Sequence, residues 1–235
     1  FYFDVASWQR LDPVRLQSLA QTGSIFDKDG QFVTRLVGSE NRTLVALEDL
    51  PDHVVNAFLA AEDLRFYKHP GFDLVRIGGA LVSNLRSGGF SQGASTITQQ
   101  LVKLSHLSSQ KTIARKLEEV WLALQLEHQF SKDEILEMYL NYIYFGSGAY
   151  GVQAAAQTTF GVDAWDLTPA QAAALAAAIK APASFGIASA PEANLERRTY
   201  ILGVMRDEGM LTQEAYDQAV AQELTPLEDA APKTA

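Results

Sequence analysis

The stretch AAEDLRFYKHPG, residues 60–71, places Glu62 and Asp63 at the end of the apolar run VVNAFLA and follows them with Phe66, His69 and Gly71. Adjacent acids beside rings have two readings. In the plainer one a helix ends there and its polar end meets water, with His69, before Pro70, as a structural hydrogen-bonder. In the other, one acid is kept in a shielded place to move a proton. The apolar helix and Phe66 would then desolvate the carboxylate, disfavour its charged form and make it a better base.

Four further stretches carry polar groups at helical spacing. In QGASTITQQLVK, residues 92–103, Ser95, Gln99 and Lys103 recur every four positions and share a face, with Thr96 and Gln100 in the next row. The plain reading is a polar outer face with Ser95 or Thr96 as N-cap. Two adjacent glutamines after hydroxyl residues, however, offer fixed hydrogen bonds rather than ordinary surface charge. In KTIARKLEEVWLALQLE, residues 111–127, Lys111, Arg115 and Glu119 stand four apart, and Lys116 is three before Glu119. Ion pairing on a wet helix face, worth a few tenths of a kcal/mol, would explain them. Glu118 serves equally as the solvated acid.

In KDEILEMYLNYIYFG, residues 132–146, Glu137 and Asn141 interrupt an otherwise core-like helix. Buried polar groups need partners, so a structural network is expected of them. In LERRTYILGVM, Arg197 and Arg198 are suited to pairing with acids or binding an anion.

The elements that must hold these residues read as mainly helical. Asp12 caps a helix over LDPVRLQSLAQ with Pro13 at its first position, and SIFDKDGQFVTRLV reads as a hairpin about Asp29 and Gly30. Ser131 with Glu134, and Thr168 with Gln171, form capping boxes, and Gly209 stops the helix through NLERRTYILGVMRDE. The glycine-bearing segments RSGGFSQGAS, FGSGAYG and KAPASFG read as loops between helices. FGSGAYG follows a helix rather than a strand, so a phosphate-loop reading is weak.

The chain has 235 residues, enough to bury a sizeable core, and no cysteine, which excludes disulfides and thiol chemistry. Its formal net charge of −9 argues against a general nucleic-acid binder. No apolar run approaches the roughly 18 residues of a membrane span.

Taken in order, the five stretches resemble the five motifs of the family 51 glycosyltransferases, the peptidoglycan glycosyltransferase domains of bacterial class A penicillin-binding proteins. ED-x-x-F-x-x-H-x-G matches Glu62, Asp63, Phe66, His69 and Gly71. G-x-S-T-[IL]-T-Q-Q matches Gly93, Ser95, Thr96, Ile97, Thr98, Gln99 and Gln100, and R-K-x-x-E matches Arg115, Lys116 and Glu119. The fourth matches Lys132, Ile135, Leu136, Glu137, Tyr139 and Asn141, and the last matches Arg198, Ile201, Leu202 and Met205. Three positions depart from the family pattern. Leu104 follows the lysine of QLVK, Lys111 stands where arginine is common, and APASFGIASAP replaces the usual loop after the alanine-rich helix. Lys111 keeps the charge but loses the bidentate fork.

The resemblance implies a mainly α, lysozyme-like two-lobed fold with a small β-hairpin near the N-terminus. It divides the chain into an approach segment (1–45), a glycosyltransferase domain (46–225) and a linker (226–235). It implies lipid II as substrate, polymerised into β-1,4 glycan with inversion and release of undecaprenyl pyrophosphate. Glu62 is then the base. Lys103, Lys111, Arg115, Lys116 and Arg198 supply charge for the pyrophosphate. Glu119 orients these cations or holds a divalent ion, Mg2+ or Mn2+. Asp63, Phe66, His69, Ser95, Thr96, Gln99 and Gln100 contact substrate, while Gly71, Gly93, Glu137 and Asn141 shape the motifs.

The expected setting is the extracytoplasmic face of the cell membrane, with an N-terminal anchor and a C-terminal transpeptidase domain outside these residues. No S-x-x-K, S-x-N and K-T-G set is present, so penicillin binding is not expected of this stretch. The segment FDLVRIGGALVSNLRSGGF, with Arg76 and Arg86, reads either as a membrane-surface helix or as one packed in the core with a glycine loop beyond it. Two alternatives stand beside the transferase: a muramidase-like hydrolase on the same fold, and a non-catalytic glycan- or lipid-binding module. The basic cluster separates the first of these, since a neutral glycan has no use for several cations beside the second acid.

Overall fold

The computed structural model describes residues 23–26, 32–36, 41–79, 95–106 and 112–227. The expected helix over 11–21 lies outside them. The chain divides into two compact units, one of Phe1–Ser18 with Asp63–Tyr139, the other of Leu19–Glu62 with Leu140–Ala235. The first division falls between Glu62 and Asp63, the two acids of the opening stretch.

The second unit begins with the expected hairpin. Strands β1 (Gly23–Phe26) and β2 (Phe32–Leu36) pair antiparallel, with Gly23 opposite Leu36. A second sheet was not expected. β3 (Asn41–Arg42) runs parallel to β5 (Ala149–Tyr150), which pairs antiparallel with β4 (Tyr144–Gly146). The glycine segment FGSGAYG is therefore a tight hairpin, not a plain loop. Gly146, Ser147 and Gly148 all have positive φ, which turns the chain within three residues.

The axis of this unit is α6 (Pro169–Ala178), PAQAAALAAA. Residues Ala172–Ala178 are all buried, so the helix is apolar all round, as a central helix must be. Its N-terminus carries the expected capping box of Thr168 and Gln171. Helices α1 (Asp52–Glu62) and α8 (Pro191–Asp207) pack on it and on each other. Helix α5 (Val152–Phe160), the short α7 (Pro182–Phe185) and α9 (Gln213–Ala221) complete its surround. Gly209, with φ of 72°, ends α8 as expected.

In the first unit, α2 (Ile97–His106) packs against α3 (Ile113–Gln129). A helical stretch over 74–79 precedes them, started by Asp73, whose Oδ1 accepts from the N–H groups of Val75 and Arg76. Helix α4 (Lys132–Tyr142) opens with the Ser131–Glu134 box: Glu134 Oε2 accepts from Ser131 N at 2.7 Å, and Ser131 Oγ from Glu134 N. The Ser131 N–H and hydroxyl hold the Glu134 carboxyl below its ordinary range, so this cap is present at neutral pH and lost as acid protonates Glu134.

Near the end of α4, Asn141 is the buried hydrogen-bonder its sequence context called for. Its Oδ1 accepts from Val45 N at 2.9 Å, and its Nδ2 donates to Val45 O at 2.8 Å. Both backbone groups of a buried residue are thus satisfied by one amide. Asn141→Ala leaves them unpaired, and we expect a loss of about 2–4 kcal/mol in urea unfolding.

Candidate active site

Asp63 is 1% exposed and serves as a structural hub of the first unit. Its Oδ2 accepts from Ile97 N at 3.0 Å, at the first turn of α2, and lies 3.0 Å from His69 Nε2. Arg76 Nη1 stands 3.8 Å from the other oxygen. One carboxylate therefore ties the 63–69 turn to the N-terminus of α2, where the helix dipole favours a negative charge. His69 is buried against the edge of Phe66, whose ring also carries Lys132 Nζ at 4.3 Å. Lys132 pairs with Glu127 at 2.7 Å, and Glu127 Oε1 also accepts from Thr98. Tyr67 donates to Asp133, and burial together with that carboxylate pushes its hydroxyl up to about 12.

Gly71 explains its own place in the motif. Its φ is 92°, and a Cβ there would stand 3.1 Å from the Ala123 carbonyl oxygen and from Glu127 Cγ. Only glycine lets this turn lie against α3. The Gly71 carbonyl accepts from Thr96 Oγ1 at 2.6 Å.

Thr96, not Ser95, caps α2. Its Oγ1 accepts from Gln99 N, and Gln99 Oε1 accepts from Thr96 N at 3.0 Å, a capping box. The predicted row of Ser95, Gln99 and Lys103 is corrected accordingly: Ser95 precedes the helix, Gln99 is buried, and Lys103 is exposed on α2. Gln99 Nε2 is buried without a hydrogen-bond partner. Gln100 accepts from Tyr139 at 3.4 Å.

The third motif forms a charged clamp. Glu119 is 1% exposed on α3. Its Oε2 accepts from Arg115 Nη1 at 3.1 Å, and its Oε1 is bonded by Lys116 Nζ. Lys116 Nζ also donates to Ser95 Oγ at 2.9 Å. The i,i+4 spacing is thus an ion-pair network about a buried carboxylate, with Lys116 itself 44% exposed. Both Glu119 oxygens are engaged by cations. Among the described residues no three His, Cys, Asp or Glu side chains gather as a metal site. Lys111 and Gly93 lie outside the described residues, and Glu137 is half-buried on α4.

In the second unit, Glu62 ends α1 with its side chain 11% exposed. Desolvation by Phe66 and the apolar helix was the expected influence on it; a cation is also near, with Arg197 Nη2 3.6 Å from Glu62 Oε1. The two arginines of α8 divide their roles. Arg198, in the motif, is buried and donates to the Gln222 carbonyl at 3.2 Å, and burial lowers its affinity for the proton. Arg197, which no motif position covered, reaches the acid. The sequence offered Arg197 and Arg198 alike as partners for acids, and the motif singled out only Arg198.

The transglycosylase family model matches residues 29–206, and the chain belongs to that family. The match begins inside the segment read as an approach to the domain. The chain is 48% identical over 210 residues to penicillin-binding protein 1A/1B of Bacillus subtilis (strain 168), covering 89% of this chain and 23% of that protein. It is 44% identical to penicillin-binding protein 1A of Aquifex aeolicus (strain VF5), covering 91% and 30%. It is 45% identical to penicillin-binding protein 1A of Escherichia coli (strain K12), covering 92% and 24%. The chain therefore spans less than a third of the length of these relatives. The crystal structure of penicillin-binding protein 1A from Haemophilus influenzae matches with a TM-score of 0.51 at 26% identity, covering 89% of this chain and 22% of that one. The mainly helical fold and the transglycosylase assignment expected from the motifs both hold.

The hub geometry makes Asp63 a fold residue. Asp63→Ala is expected to lower the unfolding free energy by about 3 kcal/mol, since it strands the Ile97 N–H and His69. Thermal melting compared with Glu62→Gln, which should melt like the parent, checks it.

Proposed function

We propose that this chain polymerises lipid II into β-1,4 glycan by inverting transfer. The observation that carries the reading is the Ser95–Lys116–Glu119–Arg115 clamp, within a chain of the transglycosylase family. Glu62 takes the proton from the 4-hydroxyl of the acceptor sugar as that oxygen attacks the anomeric carbon of the donor. The bond from that carbon to the pyrophosphate oxygen breaks, and the electron pair leaves with the pyrophosphate. The leaving group is already anionic and needs cations rather than a general acid. Arg115 and Lys116, held in place by Glu119, are preorganised to meet it, with exposed Lys103 adding charge. Glu119, bonded by two cations, orients them. Because lipid II is membrane-bound, the reaction belongs at a membrane surface. Leu74, Val75 and Ile77 are exposed in the 74–79 stretch, which supports contact with lipid there. No described helix is long and apolar enough to cross a membrane.

Labelled lipid II incubated with the protein should yield polymer. Reducing ends released from finished peptidoglycan, with no polymer made, would mark a hydrolase instead. Glu62→Gln should polymerise at least about a hundredfold more slowly. Glu119→Gln and Lys116→Ala should each slow turnover, and their combination should cost less than the sum, because the groups act as a unit. Additive losses in that double-mutant cycle would remove the clamp from the mechanism. Polar replacement of Leu74, Val75 and Ile77 together should weaken liposome flotation while the melting temperature holds.

A further inference from the structure

Ser95, Thr96, Ile97 and Thr98, at the start of α2, are each tied to a different residue of the first unit. Ser95 Oγ accepts from Lys116 Nζ at 2.9 Å. Thr96 Oγ1 donates to the Gly71 carbonyl, and Ile97 N donates to Asp63 Oδ2. Thr98 Oγ1 donates to Glu127 Oε1 at 2.6 Å. The outer two of these ties reach α3, at positions about 16 Å apart along its axis. The inner two reach the 63–71 turn, and that turn meets α3 at Ala123, between them: a Cβ on Gly71 would stand 3.1 Å from the Ala123 carbonyl oxygen.

Glu127 is matched by none of the five motifs, yet it reaches three of them. The oxygen that Thr98 bonds also accepts from Lys132 Nζ at 2.7 Å, and that ammonium lies over the Phe66 ring. Its Cγ stands against Gly71. The Thr98 bond has the length of a hydroxyl donating to a charged oxygen, about 2.5–2.7 Å, and such bonds are roughly twice as strong as neutral ones.

We propose that Glu127 is a positioning residue of the cation clamp: by holding Thr98 it fixes the direction in which α2 crosses α3, and so keeps Ser95 on Lys116. The inference rests on the reading of that clamp as the holder of the pyrophosphate. The contact at Ala123 is a pivot, with Lys116 to one side of it along α3 and Glu127 to the other. A helix start tied at the pivot and on one side only can rock about it. Tied on both sides, it has one direction. The two outer ties are unequal, because the Glu127 side chain is 10% exposed and that of Lys116 is 44% exposed. The enclosed tie therefore steadies the open one. Lys132, at the start of α4, holds Glu127 in turn.

Thr98→Val removes the hydroxyl at nearly constant shape and leaves Glu127 paired with Lys132, whereas Thr98→Ser keeps the hydroxyl. The first measurement needs no activity. In protein labelled with 15N at the lysine side chains, with Lys116 assigned from the signal missing in Lys116→Met, Thr98→Val should move the Lys116 signal and Thr98→Ser should leave it in place. In lipid II polymerisation Thr98→Val should lower kcat about tenfold, short of the roughly hundredfold that a 1 Å misplacement can cost. KM should change little, the pattern of an interaction made in the transition state, and Thr98→Ser should restore the rate. Glu127→Leu combined with Lys116→Met should cost less than the product of their separate losses, although side chains so far apart along a helix are ordinarily independent. Thr98→Val carries the same cycle if Glu127→Leu melts early. A Lys116 signal unmoved by Thr98→Val, or losses that simply multiply, overturns the role of Glu127. Near-normal turnover in Lys116→Met overturns the clamp's place in the reaction instead, and the lysine signal then decides the role of Glu127 alone.

Discussion

A carboxylate can leave water only if something replaces the hydration of both its oxygens, and this constraint organises the charged interior of the protein. Three acids meet it in three ways. Asp63 is satisfied by a backbone N–H and a histidine, with an arginine farther off, which makes it a fixed joint. Glu119 is satisfied by a lysine and an arginine on its own helix, which makes it a holder of cations. Glu62 stands 3.6 Å from an arginine of a neighbouring helix and is the most exposed of the three, which leaves its surroundings the least closed to a substrate. Side chains of the same chemistry thus acquire different work from their partners alone.

Much of the fold was legible in the sequence because its signals are local. A capping box needs four residues, and both boxes formed where hydroxyl and carboxylate or amide stood three apart. The two β-like runs pair as strands, and Gly209 ends a helix. The second sheet was not legible, because its strands are two or three residues long and β3 lies more than a hundred positions from β5. No alternation can be read in two residues. Nearby, Asn141 holds Val45, a long-range contact that only the folded chain reveals.

The site was legible in its spacing and less so in its directions. Arg115, Lys116 and Glu119 were bound to meet because i,i+3 and i,i+4 neighbours share a helix face. Spacing misplaced Ser95, since it counted a helical row through a residue that precedes the helix. It gave Gln99 to substrate, whereas one of its amide atoms is spent on the cap. Between adjacent Arg197 and Arg198 it had no means to choose, since 100° of helical rotation separates them and the motif registers only one.

That rotation has a definite origin in packing. The small side chains of α6 let α1 and α8 approach the same axis and each other. Asn194 fixes how α8 lies on it, with Nδ2 donating to the Ala174 carbonyl at 3.0 Å and to the Phe185 carbonyl at 2.6 Å. One amide therefore ties α8 both to the central helix and to α7. Arg197 follows one turn later, so the same bond that sets the height of α8 also brings the guanidinium to the Phe185 ring and to Glu62. A larger residue in α6 at Ala174 would push α8 outward, and the distance from Arg197 to the acid would grow with it. The alanine-rich helix, which carries no chemistry of its own, thereby sets how near Arg197 comes to Glu62.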